Sequence, residues 1–190
     1  MSYDRAGDEE LMMRVAAGNR DAINLLLRRW ASPLLTFIER MVGHRQRSEE
    51  LFQEVFLAVW QQRRRYEYPR PFRSWLFGIA MNKCRADARK MAAAPLALFD
   101  ETEPAARAGD GSPVEAAIAS ETATIVAQAI ATLPPQQRAV LVLKVWNGQD
   151  YADIAKALGR APATIRSQMF HALNALRRYL EPRLRQSEEK

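Results

Sequence analysis

The stretch Tyr151-Ala152-Asp153-Ile154-Ala155-Lys156-Ala157-Leu158-Gly159-Arg160-Ala161-Pro162-Ala163-Thr164-Ile165-Arg166-Ser167 decides how the second half of the chain folds. Tyr151, Ile154, Ala155 and Leu158 recur at helical spacing and give a first helix one apolar side. Gly159-Arg160-Ala161 supplies a turn, and Pro162 takes the first position of a second helix, where its missing N–H is no loss. Ile165, Met169, Leu173 and Leu176 should face inward, and Ala155 and Gly159 are small where the two helices would cross. Ala163, Thr164, Arg166, Ser167, Phe170 and His171 are left on the outward face, with Arg160 beside them in the turn. That is where the second helix of a helix-turn-helix reads the major groove. A plain helical hairpin would carry the same period, so DNA binding is the functional reading of the pattern and the hairpin its structural one.

Working outward, helices are expected at about 114–132, 135–146, 150–158 and 162–181, punctuated by Pro134-Pro135, Asn147-Gly148 and Gly159. From Ala92 to Pro113 the helical period lapses into Ala, Pro, Gly, Asp and Glu, which reads as a linker. The first block is helical again. Asp8 to Ala17 should stop at Gly18-Asn19, and a second helix should follow from about Asp21. Ser32-Pro33 looks like a cap and a first-turn proline that open a separate helix from Leu34 to Val42, ended by Gly43. Ser48 is read as the cap of the next helix, which carries Glu49 and Glu50 in its first turn and runs to about Arg64. A loop rich in Arg, Tyr and Pro (65–71) then leads into a helix from Phe72 to Lys90. The expected fold is all-α: two small helical domains, 1–91 and 126–190, joined by an acidic segment, 92–125, that runs into the first helix of the second domain.

Two helical faces in the first block carry the functional signal. At about 100° per residue, Leu51, Phe52, Val55, Phe56 and Val59 form a core stripe, and Glu50, Gln53, Glu54, Leu57 and Gln61 lie opposite. A large leucine among carboxylates and amides fits a protein contact, although single exposed leucines are common. On the helix from Phe72, the buried stripe is Phe72, Leu76, Ile79 and Ala80, while Trp75, Gly78, Asn82, Arg85 and Arg89 share another face. An aromatic to stack on an unpaired base, an amide for a base edge, arginines for phosphates and a glycine for close backbone approach make a single-strand-binding set. The plainer alternative is a solvated helix whose Trp75 belongs to the core. Residues 60–90 add nine Lys or Arg against two acids.

Charge is segregated: residues 1–90 hold 17 basic and 11 acidic side chains, 91–125 hold 1 and 6, and 126–190 hold 10 and 5. Basic blocks around an acidic strip suit a polyanion, though a solvated surface would look alike. One cysteine, Cys84, and two histidines, His44 and His171, leave no intrachain disulfide and no zinc cluster. Cys84 reads as a small semi-buried thiol. Met1 to Glu10 is polar and acidic, unlike a secretory leader, and no run approaches the roughly 20 apolar residues that span a bilayer. A cytoplasmic protein is expected. No grouping of nucleophile, base and oxyanion donor suggests an enzyme, and no cofactor, metal or small-molecule substrate is expected. Two rivals remain: a stand-alone helix-turn-helix regulator, which leaves the 72–90 face and Leu57 unexplained, and an interaction protein that reads no DNA.

Several runs together resemble the extracytoplasmic-function sigma factors of the sigma-70 family. Asp8-Glu9-Glu10-Leu11 with Gly18-Asn19-Arg20-Asp21-Ala22, then Ser48-Glu49-Glu50-Leu51-Phe52-Gln53-Glu54-Val55-Phe56-Leu57-Ala58-Val59-Trp60, then Phe72-Arg73-Ser74-Trp75-Leu76-Phe77-Gly78-Ile79-Ala80-Met81-Asn82 look like region 2. Leu133-Pro134-Pro135-Gln136-Gln137-Arg138 and Tyr151-Ala152-Asp153-Ile154-Ala155 through Thr164-Ile165-Arg166-Ser167 are similar to region 4. The resemblance implies a non-enzymatic factor that directs core RNA polymerase to promoters of a stress or envelope-response regulon. It assigns Glu50, Gln53, Glu54 and Leu57 to the clamp coiled coil of the polymerase's largest subunit. It assigns Tyr66, Tyr68, Arg70, Arg73, Trp75, Asn82, Arg85 and Arg89 to the minus-ten strand, with a base flipped into the loop. Arg160, Thr164, Arg166, Ser167, Phe170 and His171 fall to the minus-thirty-five duplex, and region 4 also packs on the polymerase flap. The acidic linker would thread toward the RNA exit path, and an anti-sigma factor anchored in the membrane would hold the protein inactive. Relatives commonly carry basic residues where this chain has Gln168, His171 and Leu173, which predicts a weaker hold on upstream phosphates. The loop Tyr66-Glu67-Tyr68-Pro69-Arg70-Pro71 also differs from the family's usual loop.

Overall fold

The computed structural model describes residues 6–93 and 113–188, and the linker expectation falls largely outside them. Among the described residues there are eight α-helices, one 3-10 turn and no strand. The helices are α1 (Asp8–Ala16), α2 (Arg20–Val42), α3 (Arg45–Gln61), α4 (Phe72–Ala93), α5 (Pro113–Ala131), α6 (Pro135–Val145), α7 (Tyr151–Leu158) and α8 (Pro162–Glu188), with the 3-10 turn at Arg63–Arg65. None of them is long and apolar enough to cross a membrane.

Acids open α1, and two of them do more than complement the helix dipole. Asp8 accepts hydrogen bonds from Arg29 Nη1 and Trp30 Nε1, both at 2.9 Å, while Glu9 Oε1 accepts from the Phe72 N–H at 3.0 Å. One turn of α1 therefore fastens α2 and the start of α4. Gly18, at φ 94°, makes the left-handed turn after α1, and Asn19 caps α2 by accepting from the Ala22 N–H at 3.0 Å.

Two local expectations are corrected here. Pro33 does not open a new helix, because α2 runs through it. An internal proline costs a helix about 3 kcal/mol; Leu26 before it and Leu34, Phe37, Ile38 and Met41 after it lie buried along one helix, and that burial offsets the cost. Ser48 does not cap α3. His44 does, its Nδ1 accepting from the Arg47 N–H at 3.2 Å, and Ser48 lies in the first turn, its hydroxyl donating to the His44 carbonyl at 2.7 Å. Gly43, at φ 78°, ends α2 as expected.

α4 is the central helix of the first module, with Phe72, Ser74, Trp75, Leu76, Phe77, Ile79, Ala80, Met81 and Cys84 all buried. Apolar residues on several sides mark a helix covered by more than one neighbour. α6 plays that part in the second module, where Ala139 to Leu143 form an unbroken buried run. The helix-turn-helix forms as read: Asp150 caps α7 by accepting from the Asp153 N–H at 2.7 Å, and Gly159 turns the chain at φ 62°. Leu173 is a third correction. It is 50% exposed, and Ala172, fully buried, takes the inward position instead.

The modules are in contact. α4 packs on α7, α2 packs on α5 and α6, and the buried apolar side chains of both modules belong to one cluster. Arg138 Nη1 donates to the Met41 carbonyl at 2.8 Å, Asn147 Nδ2 donates to the Pro33 carbonyl at 3.0 Å, and Arg40 lies over the Trp146 ring at 4.0 Å.

Candidate polymerase and nucleic-acid interfaces

The outward face of α3 stands on an ion network. Arg47 reaches Asp87 Oδ1 through Nη2 at 2.7 Å, Glu50 at 2.5 Å and Glu54 at 3.7 Å, and Lys83 reaches Glu54 at 2.9 Å. Hydrogen bonds to Asp87 and Glu50 hold the Arg47 guanidinium above its ordinary value, and the hydrogen bond from Lys83 holds the Glu54 carboxyl below the usual carboxylate range. Glu50 and Glu54 are thereby fixed on the surface. Glu50 and Gln53 are exposed, Glu54 is half-buried, and Leu57 stands 55% exposed beside them. The arrangement presents one apolar knob ringed by oriented acceptors, which suits a protein partner with a small pocket and cationic rim.

The eight residues assigned to the minus-ten strand divide by exposure. Tyr68, Arg70, Asn82 and Arg89 are exposed, and Arg73 and Arg85 are half-buried. Trp75 is 7% and Tyr66 8% exposed, their rings 5.3 Å apart in an aromatic cluster with Phe72. Tyr66 is further tied down by its hydroxyl, which donates to the Arg70 carbonyl and closes the loop over four residues. Arg73 stacks over Trp30 at 5.7 Å. Trp75 thus takes the core position that the plainer reading of its helix allowed.

What covers this part of α4 was not expected from the sequence. Ser74 Oγ donates to the Asp153 carbonyl of α7 at 3.4 Å, and a Cβ placed on Gly78 would lie 3.0 Å from the Ala157 carbonyl. The close backbone approach expected at Gly78 is therefore made by α7. Further along α4, burial and the neighbouring Arg160 and Arg89 charges push the Arg85 guanidinium below the usual arginine range. Its Nη2 is buried and has no hydrogen-bond partner among the described residues.

The helix-turn-helix face is open. Arg160, Thr164, Arg166, Ser167, Phe170 and His171 are all exposed, with Phe170 at 63% and its ring 5.7 Å from that of His171. Sequence reasoning missed the seam residues Ser74, Arg138, Asn147 and Ala157. The only advance signal was smallness, at Gly78 and Ala157, and helical period does not say which small residues will meet.

Comparison with known proteins accounts for both modules. The family model of Sigma-70 region 2 matches residues 26–93, and that of Sigma-70 region 4 matches residues 123–176. The RNA polymerase sigma-H factor of Pseudomonas aeruginosa is 30% identical over 188 residues, covering 95% of this chain and 97% of that protein. The ECF RNA polymerase sigma factor SigD of Mycobacterium tuberculosis is 30% identical over 174 residues, covering 89% and 82%. In fold, the chain is similar to CnrH solved with the cytosolic domain of CnrY (TM-score 0.68, 23% identity, 92% of this chain and 97% of that one). It is also similar to RpoE of Bartonella quintana solved with the anti-sigma factor NepR (TM-score 0.67, 23% identity, 83% and 96%). With both regions present in order and a relative matched over nearly its whole length, the chain belongs to the sigma-70 family of RNA polymerase sigma factors, in its extracytoplasmic-function branch.

Proposed function

We propose that this alternative sigma factor docks on core RNA polymerase through the α3 face of Glu50, Gln53, Glu54 and Leu57. It then reads the minus-ten strand with α4 and the loop before it, and the minus-thirty-five duplex with the start of α8. The carrying observation is the exposed Leu57, held among acceptors that the Arg47 and Lys83 network fixes in place. A large apolar side chain standing in water beside carboxylates that an ion network orients supports a protein contact over a merely solvated face. In this reading the aromatic cluster of Tyr66, Phe72 and Trp75 shapes the floor on which Tyr68, Arg70 and Asn82 meet an unpaired strand, and Arg73, Arg85 and Arg89 hold its phosphates. Arg160, Thr164, Arg166, Ser167, Phe170 and His171 contact the duplex. Residues 1–91 and 126–190 act as the two working domains.

Work of this kind is done in the cytoplasm, where polymerase and promoters are. Solved proteins of the same fold were captured with the cytosolic domain of CnrY and with an anti-sigma factor, and by analogy this chain is held inactive by an anti-sigma partner at the membrane. Run-off transcription with core polymerase and genomic fragments tests the reading. Discrete transcripts that depend on this protein are expected, and Leu57→Asp should abolish them while leaving the helical content unchanged. A chain that neither binds core enzyme nor yields any transcript would overturn it.

A further inference from the structure

Helix α4 begins without a capping side chain of its own. Its first intrahelical bond runs from the Trp75 N–H to the Pro71 carbonyl at 3.2 Å, so Pro71 stands where Ser, Thr, Asp or Asn would offer an oxygen to the unpaired N–H groups of the first turn. Phe72, which carries the first of those groups, is fully buried, and a buried N–H needs an acceptor within the protein. Glu9 supplies it from another helix: its Oε1 accepts from the Phe72 N–H at 3.0 Å, and a carboxylate there also suits the helix dipole. The loop that feeds α4 is meanwhile closed on itself. The Arg70 N–H donates to the Glu67 carbonyl at 2.8 Å, the Tyr66 hydroxyl donates to the Arg70 carbonyl, and the Tyr66 ring packs against Phe72 and Trp75. Burial and then the Glu9 charge raise the Tyr66 phenol, which puts the same carboxylate near the loop as well as the helix.

We propose that Glu9 is a positioning residue for minus-ten recognition: from α1 it sets the angle between the closed loop that carries Tyr68 and Arg70 and the helix that carries Arg73 and Asn82, and so sets which base the loop accepts. This rests on the strand-reading role proposed above for those four residues and adds the part that keeps them in mutual register. With the loop fixed internally, the freedom that remains is the joint at Pro71, and the Glu9 hydrogen bond falls on the first N–H beyond it. Asp8 braces the same joint from the other side. It accepts from Trp30 Nε1 at 2.9 Å, and Trp30 meets the Phe72 ring edge-on at 6.3 Å and carries the Arg73 guanidinium over its face at 5.7 Å. Helix α1 itself does not depend on Glu9, because Leu11, Met12 and Val15 are fully buried beneath it and Asp8 also holds Arg29 at 2.9 Å. Losing the Glu9 bond therefore loosens the reading elements and leaves the fold standing.

The test uses the full chain assembled with core polymerase and short single-stranded DNAs of random sequence, sequenced after capture. Wild-type holoenzyme should enrich a base preference. Glu9→Asp keeps the charge but draws the carboxylate back by one methylene, out of reach of the Phe72 N–H, whereas Glu9→Gln gives up the charge and keeps an acceptor at the same reach. Glu9→Asp should flatten the base preference and weaken capture of the preferred strand about tenfold, while Glu9→Gln should stay within about twofold of wild type. Glu10→Ala removes the neighbouring acid, which pairs with Arg14 at 2.6 Å inside α1, and should change neither quantity. Affinity for core polymerase should be the same for all four proteins, because the α3 face is untouched. Wild-type preference surviving in Glu9→Asp, or Glu9→Gln failing as badly as Glu9→Asp, overturns the positioning role. A flattened preference in Glu10→Ala overturns it as well, since charge alone would then be at work. Wild-type holoenzyme that enriches no sequence sinks the strand-reading proposal itself, an outcome distinct from each of these.

Discussion

Asp87 is 6% exposed and accepts from Arg47 Nε at 2.8 Å and from Nη2 at 2.7 Å, so one carboxylate receives two donors of a guanidinium that also holds Glu50 and Glu54. Asp87→Ala leaves that guanidinium half-satisfied and should cost about 1–3 kcal/mol. For a chain of this length the cost should appear as a melting temperature lower by roughly 2–10 °C. Cys84 gives a second residue-scale prediction. Burial, with the Asp87 charge nearby, pushes its thiol from 9.0 up to about 12, and burial pushes Tyr66 from 10.0 up to about 12. Both groups bind their protons more tightly when folded. Their contribution is therefore complete below the unfolded values and is lost as pH rises through the window from about 9 to about 12. Urea midpoints should fall progressively on the alkaline side, and Cys84→Ala should flatten the earlier part of that fall. A thiol reagent should leave native Cys84 untouched and modify it on unfolding. At this scale, legibility follows chemistry: Leu57 stands out because it breaks a polar face, but His44 is hidden as a cap because Ser48 is the commoner capping type. Leu173 reads as inward because a period of four from Met169 looks as good as the period of three that selects Ala172.

Among the elements, the helix-turn-helix is the most completely legible, since Asp150, Gly159 and Pro162 are local signals that act through their own backbone. Gly159 sits at φ 62°, and a Cβ added there would meet nothing within 4 Å, so its replacement carries a backbone penalty and no clash. Gly159→Val should cost about 1–2 kcal/mol and re-aim α8, weakening upstream-duplex binding more than it lowers the melting temperature. Helix α2 shows the opposite case. Ser32-Pro33 has the form of a helix start, and nothing local says that Leu26 and Leu34 will be buried along one axis. A tertiary surface that continues across a proline overrides the cap, and such a surface is invisible to a window of a few residues.

For the molecule as a whole, charge segregation is plain in the sequence, yet its consequence is uneven. Only Arg160 and Arg166 are basic among the six exposed residues assigned to the upstream duplex. Binding of the free protein to that duplex should weaken with added salt at a log–log slope of about −2, set by about two neutralised phosphates. A steep slope, measured by anisotropy across a salt series, would show that further cations take part. Two helical modules in order are legible, because each buries its own periodic stripe. Their mutual packing is not, because residues 74 and 153, or 78 and 157, are brought together by the seam and by no pattern either helix displays alone.

Arg138 ties this scale back to a single side chain. It donates to the Met41 carbonyl near the end of α2 and to the carbonyls of Ala131, the last residue of α5, and of Leu133 in the turn beyond it, and burial pushes its guanidinium below the usual arginine range. The negative ends of two helices thus share one fork-shaped cation. A lysine has no fork: its compact ammonium cannot straddle two chain ends drawn from different modules, so even this smallest change of cation would leave one of them bare.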